Sequence, residues 1–380
     1  MDDGFYYPVV NEENCIHCDQ CENVCPFYNS KRKLQDCQTY HCYYGWHKNE
    51  DTRKKSTSGG AFSAIAECVI ENDHDAVVYG AVYDDKWRVC HRGIDTRIGL
   101  DELRQSKYVQ SDMGNCYSEI RKRLNQNEQV LFCGTPCQVD GLRLFLGKDY
   151  EKLFLVDFVC HGVTSPLIFK SYILYLENKH GSRVRMFRFR DKVTRGNVSS
   201  LGHTTIVFDN GIKKSSEFNL YLGAYINGLM QRMSCETCHY ASHHRRSDIT
   251  LGDFWGIEEI IPKLRKQFNK GISLILSNSD KGQAICRKLS KRMYLVETEL
   301  SYAFNGRNAQ LEKPVQVNNK NRRLYANVQK IGVIFALAKA LGSRKLLSMH
   351  YGWIKNSVKA HLPKEVYRWM VFIKRSLYQL

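Results

Sequence analysis

The chain has 380 residues, a formal charge of +17 and 15 cysteines. A small disulfide-stapled module is excluded, because a chain this long buries ample core without staples and an odd cysteine total leaves one thiol over. Disorder is excluded by 43% hydrophobic and 12% aromatic residues, and the length fits two or three domains. Met1-Asp2-Asp3 supplies no basic n-region, so the expected setting is the cytoplasm, where clustered cysteines serve metals or redox chemistry more often than disulfides. The longest apolar run, Ile331 to Ala338, is far short of the roughly 20 residues of a membrane span.

Residues 1–36 are turn-rich and cysteine-dense. Cys15, Cys18, Cys21 and Cys25, the last followed by Pro26, have the spacing C-x2-C-x2-C-x3-C-P. Three thiolates two residues apart wrap one 4Fe-4S cluster, while the fourth points elsewhere. Zinc sites more often pair two separate Cys-x2-4-Cys knuckles, so iron–sulfur chemistry is the better reading. The segment resembles a bacterial ferredoxin domain with one motif copy where two are usual, and Asp2 to Pro8 looks like the linker after a first copy. It is read as a partial ferredoxin-like domain. The fourth ligand to Cys15, Cys18 and Cys21 stays open, with Cys25, Cys37 and Cys42 as candidates.

Residues 45–310 form the expected body. A Ser58-Gly59-Gly60 turn opens a helix over 61–70, a strand follows at 76–82, and helices at 116–124 and 139–146 alternate with strands at 129–132 and 153–159 before a helix at 167–179. Such alternation predicts an α/β fold with a largely parallel sheet. From 184 to 310 the pattern is more mixed, with strands at 184–189 and 204–208, a helix near 220–230 and a strand–helix unit at 272–289; Asp248 to Gly256 alternates like a further strand. Ligands gather at the carboxyl ends of neighbouring parallel strands. There stand Cys133-Gly134-Thr135-Pro136-Cys137 and Cys160-His161-Gly162, and Cys235-Glu236-Thr237-Cys238 adds a knuckle. Cys137, Cys160, Cys235 and Cys238 can therefore converge on one metal, with zinc or separate buried thiols as alternatives. His161 and His239 adjoin these thiols and are read as structural or potential-tuning groups. His243-His244-Arg245-Arg246 reads as a basic cluster, an anion-attracting patch or a solvated loop.

Taken together, Ser58-Gly59-Gly60-Ala61-Phe62, Gln105-Ser106-Lys107-Tyr108-Val109, Cys133 to Gln138, Cys160-His161-Gly162, Cys235 to Cys238 and Arg246 to Gly256 resemble the coenzyme F-420 hydrogenase and dehydrogenase beta subunit family, which includes 7-hydroxymethyl chlorophyll a reductase. The resemblance implies an iron–sulfur flavoprotein binding FAD and a 4Fe-4S cluster. By position it gives Cys137, Cys160, Cys235 and Cys238 as cluster ligands, with Cys133 lining the flavin site and Asp253 bordering it. Ser58, Gly59 and Gly60 are placed to let helix amides approach a pyrophosphate, with Lys107 neutralising it. The implied activity is electron passage between clusters and a flavin that reduces or oxidises an organic substrate or a deazaflavin coenzyme, with a redox partner protein as donor or acceptor. The alternative is a non-catalytic electron-transfer subunit wiring a partner enzyme, with polysaccharide assembly as one setting.

Residues 320–380 carry 13 basic residues and one acid, a net +12. They read as basic amphipathic helices with apolar faces Ile331-Ile334-Phe335-Ala338 and Val366-Trp369-Met370-Ile373. Such helices suit an anionic membrane surface, so peripheral contact at the inner face of the membrane is expected. Nucleic acid is disfavoured, because no nucleic-acid motif accompanies the charge.

Overall fold

The computed structural model describes residues 3–27, 41–192, 203–216, 219–318, 321–343 and 346. Among them, strands β1 (His41–His47), β2 (Val77–Tyr83), β3 (Val89–Ile94), β4 (Val130–Cys133), β5 (Leu153–Phe158), β9 (Ile249–Asp253), β10 (Ser273–Ser277) and β11 (Met293–Thr298) form an eight-stranded sheet in the order β11-β1-β10-β9-β5-β4-β2-β3. The parallel part is its centre: β2 beside β4, β4 beside β5, β5 beside β9. Outward from there every pairing is antiparallel. β3 cannot be otherwise, since the short turn at 84–88 returns the chain directly along β2, and a parallel neighbour needs a long crossover.

The central strands are buried on both faces, and their alternation decides which helix each residue meets. Val130, Phe132, Leu153 and Leu155 join the helices Cys116–Asn125 and Pro136–Leu146, while Leu131, Phe154 and Val156 join the helices Ala61–Asn72 and Asp280–Leu289. The result is a three-layer α/β/α body. Local chemistry fixes the entries: Thr135 and Gln138 form a reciprocal capping box with Pro136 in the first turn, and Ser165 caps the helix Pro166–His180, which ends on Gly181 at φ 60°.

A second core lies beside this sheet. It joins the helix Pro166–His180, a three-stranded antiparallel sheet of β6 (Val184–Asp191), β7 (His203–Phe208) and β8 (Lys213–Ser216), and the helix Leu220–Ile226. The first half of the basic tail packs here as the helices Asn321–Ile331 and Val333–Leu341. The tail face differs from expectation. Val333, Ala336, Leu337, Ala340 and Leu341 are buried, whereas Ile331 and Phe335 are 42% and 72% exposed. Val366, Trp369, Met370 and Ile373 lie outside the described residues.

The N-terminal segment is fastened to the same core. Phe5 is buried against Tyr325, Ser165 Oγ donates to the Asp3 carbonyl at 2.6 Å, and Gln110 exchanges two hydrogen bonds with the Tyr6 backbone. Within the described residues no helix is long and apolar enough to cross a membrane.

Candidate functional site

The carboxyl ends of β2, β4, β5 and β9 point the same way, and the chain leaving them carries the expected chemistry. Cys137 stands in the first turn of the helix after β4, with its Sγ 3.1 Å from Thr135 Oγ1. Cys160 follows β5, and Cys235 ends a short 3-10 helix before Cys238. The four are close enough to perturb one another: the Cys160 thiol is pushed well above its usual range by burial first, then by Cys235 and Cys137. Burial likewise pushes Cys235 up to about 11 and raises Cys137 and Cys238. Four bare thiolates are therefore disfavoured here, and a metal centre would offset them. Among the described residues no three or more His, Cys, Asp or Glu side chains stand at the spacing of a single ion. Glycine at 162 lets the chain after Cys160 pass close to the knuckle: at φ 80°, a Cβ there would meet Gln231 Cγ at 2.9 Å and Cys235 Sγ at 3.4 Å.

Asp140, one turn beyond Cys137, ties the knuckle in place by accepting from Tyr240 Oη and pairing with Arg246 Nε at 3.1 Å. The basic cluster of the sequence is accordingly no exposed patch. Arg245 is buried and Arg246 is paired, because the loop folds inward behind the thiols.

Next to the thiols lies a cavity of about 560 Å³, within the range of small-molecule and cofactor pockets. Cys160, His161 and Gly162 belong to its wall, as do Ser58, Gly60, Lys107, Cys133 and Asp253. Ala61, Phe62 and Ser63, the first turn of the helix Ala61–Asn72, also face it. Two expectations are corrected here. Gly59 does not offer its amide to a ligand: its N–H donates to Ser273 Oγ at 2.9 Å, and a Cβ would strike the Gly45 carbonyl oxygen at 2.4 Å. The glycine is required by close packing on β1 and β10. Lys107 is engaged by its own loop, its Nζ donating to the carbonyls of Glu102 at 3.0 Å and Arg104 at 3.1 Å. Burial pushes that ammonium down to about 7.

Two basic side chains on this side of the cavity come from β6 and the residue after it, which in sequence look like an ordinary strand; burial pushes Lys192, like Lys107, down to about 7. Lys192 Nζ donates to the Ser58 carbonyl, and Arg190 grips Asp253 with bonds of 2.5 and 3.1 Å while lying 5.5 Å from the centre of the Trp255 ring. His91 escapes the sequence reading because β3 does. Its Nε2 lies 3.2 Å from the Cys133 carbonyl, which can only accept, so Nε2 carries the proton and Nδ1 is an acceptor. Burial pushes His91 down to about 4, keeping the ring neutral. Among the described residues His91 Nδ1, His161 Nε2 and Gln105 Oε1 are buried without partners, and all three residues border the cavity. Buried polar atoms are seldom left so, and a polar ligand would satisfy them.

Cys18 and Cys21 are exposed, and Cys15 and Cys25 are half-buried. His17 and Asp19, between the first three cysteines, hold left-handed backbones at φ 52° and 54°, which curl the loop between the thiols. Phe27, just past this motif, meets His239 edge-on at 6.0 Å, and the Arg232 guanidinium lies 4.5 Å from the Tyr7 ring centre. Both contacts set the N-terminal segment beside the body thiols. Cys42 drops out as a fourth ligand: it is buried in β1, which pushes its thiol up to about 12. Cys37 lies outside the described residues.

These features define the class, an iron–sulfur electron-transfer protein built on an α/β body. Family models match along its length: the C terminus of the coenzyme F420 hydrogenase/dehydrogenase beta subunit over residues 127–302, the N-terminal part of that subunit over 42–116, and a 4Fe-4S binding domain over 7–29. The chain belongs to the coenzyme F420 hydrogenase/dehydrogenase beta subunit family. Among solved structures it is similar to a chain of the F420-reducing [NiFe] hydrogenase complex from Methanosarcina barkeri, at 16% identity and a TM-score of 0.47, covering 80% of this chain and 92% of that one. No curated protein matches.

Proposed function

We propose that this protein is an iron–sulfur flavoprotein oxidoreductase, with a 4Fe-4S cluster on Cys137, Cys160, Cys235 and Cys238, a second at the N-terminal motif, and FAD in the adjoining cavity. The observation that carries the reading is the shared wall: Cys160-His161-Gly162 lines the cavity and supplies one of the four converging thiols. FAD, when bound, supplies both one- and two-electron chemistry, which is what an exchange between single-electron clusters and an organic substrate needs.

The chain's own residues have distinct parts in this reading. The first turn of the helix Ala61–Asn72 offers amides and a positive helix end to a phosphate. Arg190, paired with Asp253 and lying against Trp255, forms a polar part of the cavity wall. His91 Nδ1 accepts from a ligand N–H or O–H, and Trp255 gives a flat apolar wall. The substrate is proposed to be an organic molecule or a deazaflavin, and a redox partner protein is proposed to dock near the exposed Cys18 and Cys21. The basic tail is proposed to rest against an anionic membrane surface on the cytoplasmic side, supported by exposed Ile331 and Phe335 beside exposed Lys330 and Lys339.

Titration of anaerobically prepared protein with FAD tests the reading. Quenching of flavin fluorescence with saturation is expected, weakened by Trp255→Ala. Absence of saturable binding to protein with an intact cluster would favour a wiring subunit without its own flavin.

A further inference from the structure

Gln105 has two features that ordinary packing does not call for. Its backbone sits at φ 75°, left-handed space that a residue with a long side chain rarely occupies. Both neighbours hold it there: Arg104 donates to Ser63 Oγ at 3.0 Å and to Glu67 Oε1 at 2.9 Å, and the Ser106 amide donates to Thr57 Oγ1 at 3.0 Å. An outlier fixed from both sides points to a functional position. The carboxamide is also oriented without ambiguity. Its Nε2 lies 2.6 Å from the Lys55 carbonyl, which can only accept, so the nitrogen is turned there and Oε1 the other way. Among the described residues nothing donates to Oε1, which is buried on a residue bordering the cavity beside the thiols. An outer cavity of about 700 Å³ also reaches Gln105, but the second buried acceptor, His91 Nδ1, belongs to a residue that borders only the cavity beside the thiols.

Phe62, Tyr108, Tyr225 and Trp255 border the same cavity, and their rings suit a flat heterocycle. A fixed acceptor whose own donor is turned away discriminates between the edges of such a ring. It favours an N–H or amino group, and it rejects a ring carbonyl or a methylated nitrogen, which leaves the buried oxygen unpaired. We infer that Gln105 is a specificity-determining residue of this cavity, its Oε1 accepting from a ring N–H or amino group of the bound heterocycle, with His91 Nδ1 as a second acceptor. This rests on the reading that FAD occupies the cavity. FAD carries that chemistry in two places, the imide N3–H of the flavin and the 6-amino group of the adenine. Gln105 binds and selects, and no electron or proton passes through it.

The test is a binding cycle on the full chain, prepared anaerobically, with FAD, N3-methyl-FAD and the FAD analogue carrying hypoxanthine in place of adenine, each followed by quenching of flavin fluorescence. Retained iron and acid-labile sulfide report that a variant is folded. Gln105→Met is expected to weaken FAD binding about tenfold, the effect of leaving one buried donor unpaired. One analogue is expected to bind wild type about tenfold more weakly than FAD, yet to bind Gln105→Met no more weakly than FAD does, and that analogue identifies the ring edge in contact. If Gln105→Met loses its iron, Gln105→Asn, which suits a left-handed backbone and draws the acceptor back, replaces it in the same cycle. Equal FAD affinity in wild type and variant, or analogue penalties that are the same in both, would overturn the inference and leave the FAD reading standing. A wild-type protein with an intact cluster that binds no FAD would overturn both.

Discussion

Replacing Gly59 by alanine separates two roles for the Ser58-Gly59-Gly60 turn. Built on the present backbone, an alanine Cβ would lie 2.4 Å from the Gly45 carbonyl oxygen, 2.7 Å from the Ser273 amide nitrogen and 2.9 Å from Ser273 Oγ. Ordinary contacts begin near 3.4 Å, so two of the strands that carry the sheet would have to part by up to about an ångström. Overpacking of this kind costs about 1–3 kcal/mol, and rigid backbone on two sides argues for the upper half of that range. The opposing gain, a less disordered unfolded chain, is about 0.4–1 kcal/mol, and Gly59 has no positive φ to add strain. The net expectation is a loss on the order of 2 kcal/mol in urea denaturation of the anaerobic protein. Gly60→Ala should lose about 1 kcal/mol for a different reason, its φ of 87°, since the nearest atom to its Cβ is 3.3 Å away. Wild-type stability in Gly59→Ala together with selective loss of flavin binding would refute the packing argument and restore the phosphate role.

Further outcomes are expected at other positions. Burial lowers the Lys107 ammonium from 10.5 to about 7, so the unfolded chain holds that proton across a range where the folded chain does not, and stability gains a positive slope with pH from about 7 toward 10.5. Lys107→Met should lack that contribution, so that the stability of wild type minus that of the variant rises from about pH 7 toward 10.5; parallel curves would show that the lysine titrates alike in both states. Cys42→Ala should leave iron and acid-labile sulfide content unchanged, whereas Cys238→Ala should lower both, as measured on anaerobic preparations. Phe335→Asp should reduce cosedimentation with vesicles containing anionic lipid at low salt several-fold, while neutral vesicles should bind neither protein; equal binding of variant and wild type to anionic vesicles would remove that exposed face from the contact.

Much of the body is legible in the sequence because single local rules govern it. Leu131-Phe132 and Leu153 to Val156 are apolar on both faces, as strands between two helical layers must be. Thr135-Pro136 with Gln138 announces a helix start, and Cys133, Cys160 and Cys235 are placed by their neighbours in the chain. What escapes depends on partners distant in sequence. β1 mixes His, Tyr and Gly, and its burial comes from β10 and β11, more than two hundred residues away. Arg190 and Lys192 look like the polar face of a strand until Asp253 and Ser58 are brought to them. The tail face differs because the sequence count runs from Ile331 across Gly332, whose φ of 76° and ψ of 159° end one helix and start the register of the next at Val333.

The content of anaerobically purified full-length protein, measured as iron, acid-labile sulfide, zinc and flavin on one preparation, tests the central claim most directly. Iron and sulfide in equal amounts with stoichiometric flavin are predicted, with loss of part of the iron and sulfide in Cys235→Ala. Zinc without sulfide, or iron and sulfide that never take up flavin on addition of FAD, would contradict the claim.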